Sequence, residues 1–135
     1  MELPEGVVGF DKLLGVEYLE ASGDRVVLTC DVRPDLHQPY GILHGGVHCA
    51  LVESAASIGG AMWFGDRGNV VGVANHTNFL RATREGRLTV TAEPVQRGRT
   101  QQLWRVTVTD DNDRTLASGE VRLANITSSE VLGGR

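Results

Sequence analysis

The chain has 135 residues, a length that suits one domain able to bury a sizeable core without disulfides or a metal. Hydrophobic residues make up 41% and charged residues 22%, an ordinary globular balance rather than a disordered or low-complexity one. The formal net charge of -4 argues against a general nucleic-acid binder.

No basic region precedes an apolar core at the start, so no secretory leader is expected. Residues 5–14 read as a short helix that stops near Gly15. Strands are expected at 16–22 and 25–32, joined by the turn Ser22-Gly23-Asp24. Residues 33–44 contain Pro34 and Pro39 and read as an irregular loop. A long helix follows at about 46–63, closed by the turn residues Gly65-Asp66-Arg67-Gly68-Asn69.

After the helix the hydrophobic period changes to two. Residues 70–82, 87–96, 100–109 and 115–126 read as strands. In the third of these, Trp104, Val106 and Val108 point one way, while Leu103, Arg105 and Thr107 point the other. The connections near Arg84-Glu85-Gly86, Gln96 to Arg99 and Asp110 to Asp113 are short, which predicts hairpins and an antiparallel sheet. One long helix against a six-stranded antiparallel sheet is an α+β arrangement in a single domain, 1–135. Residues 127–135 are expected to fray.

The helix raises the functional question. From Gly45 to Gly65 the chain is apolar or small, with Glu53 as its one charged side chain. That length could span a membrane, but the glycines, His48 and a central carboxylate argue against a span. At 3.6 residues per turn, Val47, Leu51, Ser54, Ile58, Ala61 and Met62 share a side, which is expected to lie on the sheet. A second stripe holds Gly46, Cys49, Ala50, Glu53, Ala56, Ser57 and Gly60. Its small residues would admit the close approach of another backbone, and a second copy in a symmetric dimer is the economical candidate. Glu53 would then stand near a subunit interface, with Ser57 one turn away.

Gly45 and Gly46 open the helix, where unpaired N–H groups and the positive dipole end attract negative charge. A thioester or ester carbonyl under attack develops such a charge. The two cysteines, Cys30 and Cys49, form no CxxC pair and read as free thiols of a reducing cytoplasm.

The run Gln38, His44-Gly45-Gly46, Glu53 and Ser57 resembles the hot-dog-fold acyl-CoA thioesterases. More narrowly it is similar to the PaaI-like and Arthrobacter-type 4-hydroxybenzoyl-CoA thioesterase branch, and the strand–strand–helix–four-strand order agrees. The resemblance implies that Glu53 is nucleophile or general base and that the Gly45 N–H polarises the thioester carbonyl. It implies that Gln38 and His44 orient that carbonyl and that Ser57 helps place water. Substrate contacts are expected from Gly46, Ser54 and His76. It further implies a site shared between two subunits of a homodimer that assembles to a tetramer.

His37 and His48 have no match in the pattern and are expected to pack or bond locally; no metal site is expected from the four histidines. Arg81, Arg84, Arg87, Arg97 and Arg99 fall at strand ends, and arginine forks suit phosphates. The resemblance makes Arg99 the favoured contact to the coenzyme A phosphates. Coenzyme A is part of the substrate, so no separate cofactor is expected. Two alternatives stay open: a hot-dog dehydratase acting on 3-hydroxyacyl thioesters, and a non-catalytic acyl-CoA binding domain.

Overall fold

A computed structural model describes residues 6–127. The elements are α1 (Gly9–Leu14), β1 (Glu17–Ala21), β2 (Val26–Val32), α2 (Gly45–Phe64), β3 (Gly68–Phe79), β4 (Gly86–Arg97), β5 (Gln101–Thr109) and β6 (Thr115–Thr127). The expected frayed tail falls almost wholly outside the described residues. The strands form one antiparallel sheet in the order β1-β2-β4-β5-β6-β3.

Alternation decides which face of the sheet is wet. Val26, Leu28 and Cys30 of β2, Leu88, Val90 and Ala92 of β4, and Trp104, Val106 and Val108 of β5 all turn inward and are buried. Arg105, between two of them, is exposed. The inward side chains meet Leu51, Val52, Ala55 and Ala56 of α2, which have no accessible surface. One helix thus lies across one sheet and shares a single core with it.

The helix face differs from the sequence expectation. Val47 and Leu51 are buried as expected, but Ala61 and Met62 are exposed and Ser54 and Ile58 only half-buried. Ala56 and Gly60, expected on the subunit-facing stripe, are buried against the chain's own sheet. A β-carbon built on Gly59 would fall 2.5 Å from the Trp104 ring, and one on Gly60 would collide with Leu123. These glycines bring helix and sheet into close contact. Beside them, Gln102 Nε2 donates to the Gly60 carbonyl at 3.2 Å and to Asn125 Oδ1 at 2.9 Å, and the Trp104 indole N–H donates to Gln102 Oε1 at 2.8 Å.

A second correction concerns the connections. β4–β5 and β5–β6 are hairpins, but β3 and β4 are not paired. β3 lies at the far edge beside β6, and the segment after it crosses to β4. A short connection suggests a hairpin only when the two strands are neighbours. The result is a twelve-residue edge strand, with Val73 54% and Phe79 57% exposed. Among the described residues no helix is long and apolar enough to cross a membrane.

Candidate active site

The site is built at the start of α2. His44 is the N-cap, with extended backbone, and its Nδ1 accepts the Gly46 N–H at 2.7 Å. With Nδ1 accepting, the ring's N–H is on Nε2. The Val47 N–H bonds to the His44 carbonyl at 3.0 Å. The Gly45 N–H has no partner among the described residues. The first turn therefore leaves one backbone donor open at the positive end of the dipole, while His44 and Gly46 border a different cavity from the one that Gly45 lines. Gly46, expected as a substrate contact, has its own N–H engaged by His44.

Gly45 also has a packing reason to be glycine. A β-carbon there would sit 2.8 Å from the Phe79 ring. Phe79 in turn stacks on His48, with ring centroids 5.9 Å apart. His48 is buried, its Nδ1 has no partner among the described residues, and burial lowers its pKa from 6.5 to about 4. His48 lines the same cavity as Gly45, and His37 bonds through Nε2 to the Arg84 carbonyl at 2.9 Å, far away in the chain, so neither contact is purely local.

Gln38 and Gly45 share a cavity of about 330 Å³ that also reaches Phe79 and Arg81. The backbone of the Gln38 turn is fixed: its N–H donates to the Ile42 carbonyl at 2.8 Å, and its side-chain oxygen accepts the Tyr40 N–H. Its amide nitrogen has no recorded partner among the described residues and can donate into that cavity.

Glu53 lies in a different cavity, of about 440 Å³, with Ser54, Ser57, Cys49 and Asn75. It is exposed and makes no hydrogen bond or ion pair among the described residues. Its carboxylate lies over Gly72 of β3, where a built β-carbon would be 3.3 Å from Oε2. Gly72 sits at a register shift in the β3–β6 ladder. Asn75, which the sequence reading did not single out, fastens β3 to α2: its Nδ2 donates to the Cys49 carbonyl at 3.0 Å and its Oδ1 accepts the Thr77 hydroxyl at 2.7 Å. Ser57 faces the same cavity one turn after Glu53. Ser54 is committed elsewhere: its hydroxyl donates to Asp11 Oδ1 at 2.6 Å.

His76 is exposed on β3, opposite Glu120 of β6, and lies outside both cavities. Of the arginines, Arg87 pairs with Asp31 at 2.9 Å, Arg97 pairs with Asp24 at 2.8 Å, and Arg84 donates to the Tyr40 and Gly41 carbonyls. Arg81 and Arg99 are exposed with no recorded side-chain partner among the described residues. Arg99 stands on the β4–β5 hairpin, and Arg81 borders the Gly45 cavity. Among the described residues no group of three or more His, Cys, Asp or Glu side chains could hold a metal ion.

A six-stranded antiparallel sheet around one long helix is the hot-dog fold of thioester hydrolases. The chain belongs to the thioesterase superfamily, whose profile matches residues 40–117. It is 49% identical over 122 residues to the Mycobacterium tuberculosis protein Rv1847, covering 88% of this chain and 87% of that one. The solved structure of that protein superposes with a TM-score of 0.87, covering 89% of this chain and 98% of the other. The chain is 32% identical over 117 residues to the 1,4-dihydroxy-2-naphthoyl-CoA hydrolase of Listeria monocytogenes, covering 87% of this chain and 95% of that one. It is 32% identical over 111 residues to the proofreading thioesterase EntH of Cronobacter turicensis, covering 82% of this chain and 81% of that one. It is an enzyme of thioester hydrolysis.

Proposed function

We propose that the protein hydrolyses acyl-CoA thioesters at sites shared between two subunits, in the manner of the PaaI-like and Arthrobacter-type branch. The observation that carries the shared site is a spacing. Gly45 and Glu53 are eight residues apart on α2, so about 12 Å separates them along the axis at 1.5 Å per residue. One subunit cannot bring both to one carbonyl. The exposed β3 edge supplies a partner surface: a strand paired with β6 on one side and open on the other, with apolar side chains, favours pairing with a second copy. Gly45 packs on Phe79, and Glu53 lies over Gly72. Antiparallel pairing of β3 with its copy, centred near Asn75 and His76, sets the partner's Phe79 opposite Gly72. The open N–H of one subunit then approaches the carboxylate of the other.

In this site the Gly45 N–H, with Gln38 and His44 Nε2–H, holds the thioester oxygen as charge builds on it. Glu53 of the partner subunit deprotonates a water placed by Ser57, and the hydroxide adds to the carbonyl carbon. The C–S bond breaks and the proton held by Glu53 passes to the leaving thiolate. In the nucleophilic variant the carboxylate adds first, giving an anhydride that water then cleaves. Single turnover in oxygen-18 water identifies the anhydride route when label enters Glu53, which happens only if water opens the anhydride at the Glu53 carbonyl.

Exposed Arg81 and Arg99 suit the phosphates of coenzyme A. Two free thiols, Cys30 and Cys49, suit a cytoplasmic setting. A tetramer built from the dimers is the larger assembly we propose. The direct test is thiol release from a panel of acyl-CoA thioesters, beginning with the aromatic substrate in the name of the Listeria relative. Release with acid as the other product is the expected result. Release from none, or hydration chemistry on 3-hydroxyacyl thioesters instead, would overturn the proposal.

A further inference from the structure

The Glu53 cavity has a wall that the chemistry above does not use. Phe10 and Asp11 of α1 form it. Phe10 also borders a second cavity, of about 510 Å³, whose lining joins the apolar Leu13, Leu36 and Val47 to Arg33, Asp35 and the N-cap His44. One phenyl ring therefore stands between two chambers along the same helix. The short helix that carries it is anchored by hydrogen bonds of the next residue. Asp11 Oδ1 accepts the Ser54 hydroxyl at 2.6 Å, and Asp11 Oδ2 accepts the Tyr18 hydroxyl at 3.1 Å. Ser54 directly follows Glu53 in the chain, so α1 is anchored to α2 one residue from the carboxylate.

We propose that Phe10 sets the length of acyl group the enzyme accepts. The inference rests on the acyl-CoA reading above. With its carbonyl at Glu53, the acyl group fills the first chamber, and Phe10 is the end wall. The charge of the chamber decides which end of the substrate enters. Asp11 and Glu53 both present carboxylates there, which repel the phosphates of coenzyme A. Cys49, Ala50 and Ile58 give the same chamber an apolar lining, which suits a hydrocarbon. Removing the ring would join the two chambers and open the side of the second one that Leu13, Leu36 and Val47 line.

The test uses thioether analogues of acyl-CoA, which cannot be hydrolysed, from butyryl to tetradecyl length. Their affinities are measured for the wild type, Phe10→Ala and Phe10→Trp, alongside hydrolysis of the matching thioesters. A buried methylene is worth about fourfold in affinity. Phe10→Ala should therefore gain at least about tenfold on chains several methylenes beyond the wild-type optimum, and change the shortest by no more than about twofold. Phe10→Trp should move the optimum to shorter chains. Circular dichroism confirms that each variant is folded, as expected for a side chain that is 60% exposed. An equal change at every length, or an unchanged length profile in both variants, overturns the role of Phe10. A wild type that binds the analogues by length but cleaves no thioester overturns the hydrolase reading and leaves the wall in place. A wild type that binds none of them overturns both.

Discussion

The Glu53 carboxylate lies over Gly72, close enough that a β-carbon on Gly72 would come within 3.3 Å of both Cδ and Oε2. The strand thus leaves room for the one charged side chain of α2 by having no side chain of its own. Gly72→Ala should fold normally, because Glu53 is exposed and can give way by a few tenths of an ångström. The carboxylate would then be displaced, and misplacement of about 1 Å can cost about a hundredfold in rate. We expect kcat to fall about tenfold with KM and melting temperature little changed. An unchanged kcat would show that the position of this carboxylate is not critical.

His48 should make stability depend on pH. Burial lowers its pKa from 6.5 to about 4. Between these values the unfolded chain binds a proton that the folded chain does not, so stability is full above pH 6.5 and falls as the pH drops toward 4. At pH 4.5 the loss should be roughly 2–3 kcal/mol, from 1.36 kcal/mol per pKa unit. His48→Phe keeps an aromatic ring beside Phe79 and removes the titration. Urea unfolding of both proteins at pH 7.5 and pH 4.5, at one protein concentration, should show the larger acid loss in the wild type. Equal losses would mean that the ring becomes solvated when protonated.

The strands were legible because alternation is a strong signal wherever one sheet face is dry. Trp104, Val106 and Val108 are buried just as their spacing suggests. The helix was found in place, but its face was not. Nearly every position of α2 is apolar or small, so a period of 3.6 has little contrast to work with. Gly60 therefore read as a subunit contact when it packs on Leu123. The partner of β3 was hidden for another reason: which strand lies beside it is fixed by the crossing of the segment after Phe79, not by loop length. Gln38, His44, Gly45, Glu53 and Ser57 could be named from one local run. Phe10, Asp11 and Asn75 could not, because each reaches α2 from a segment distant in the chain.

Gln102 carries a polar network into the core. It is 1% exposed and serves the Trp104 indole N–H, the Gly60 carbonyl and Asn125 Oδ1. Gln102→Leu keeps the volume but leaves the indole N–H without its acceptor. A buried unsatisfied group costs about 1–3 kcal/mol. The variant should unfold at correspondingly lower urea with an unchanged slope. Since the network lies at the far end of α2 from Gly45, kcat at moderate temperature should hold. A stability equal to wild type would mean that water or Asn125 replaces the lost acceptor.

Arg81 and Arg99 divide the phosphate question between them. Arg81 borders the Gly45 cavity and Arg99 lies on the β4–β5 hairpin, and both are exposed. Losing a charged hydrogen bond is worth about 1.5–3 kcal/mol. An arginine that holds a phosphate should therefore raise KM for acyl-CoA about tenfold or more when changed to alanine. The same variant should leave acyl-pantetheine, which lacks the nucleotide, nearly unaffected. Equal effects on both substrates would make that arginine structural rather than a phosphate ligand.

The last expectation concerns why a carboxylate stands in so apolar a helix. Glu53 has no ion pair and no hydrogen bond among the described residues, and it opens on a cavity where Cys49, Ala50 and Ile58 stand beside Ser57 and Asn75. A residue that served only solubility would sit on a polar face. Glu53→Gln preserves size and shape while removing both the base and the nucleophile. Loss of a general base costs about 10²–10⁴ in rate, and loss of a nucleophile can cost more. Folding should be retained or improved, since functional groups are commonly kept at some cost in stability. The variant should bind thioether analogues of acyl-CoA as tightly as wild type, remain dimeric by light scattering, and release almost no thiol. Gly45→Ala keeps the N–H but drives a β-carbon against Phe79, which should displace the donor and the activity with it; mixing the two variants tests the shared site directly. Hybrid dimers hold one site with both lesions and one with neither, so exchange of subunits should restore part of the activity. Thiol release by Glu53→Gln within about threefold of wild type would reduce Glu53 to a surface residue. Failure of the mixture to recover activity, with both variants dimeric and exchanging, would place Gly45 and Glu53 outside a common site.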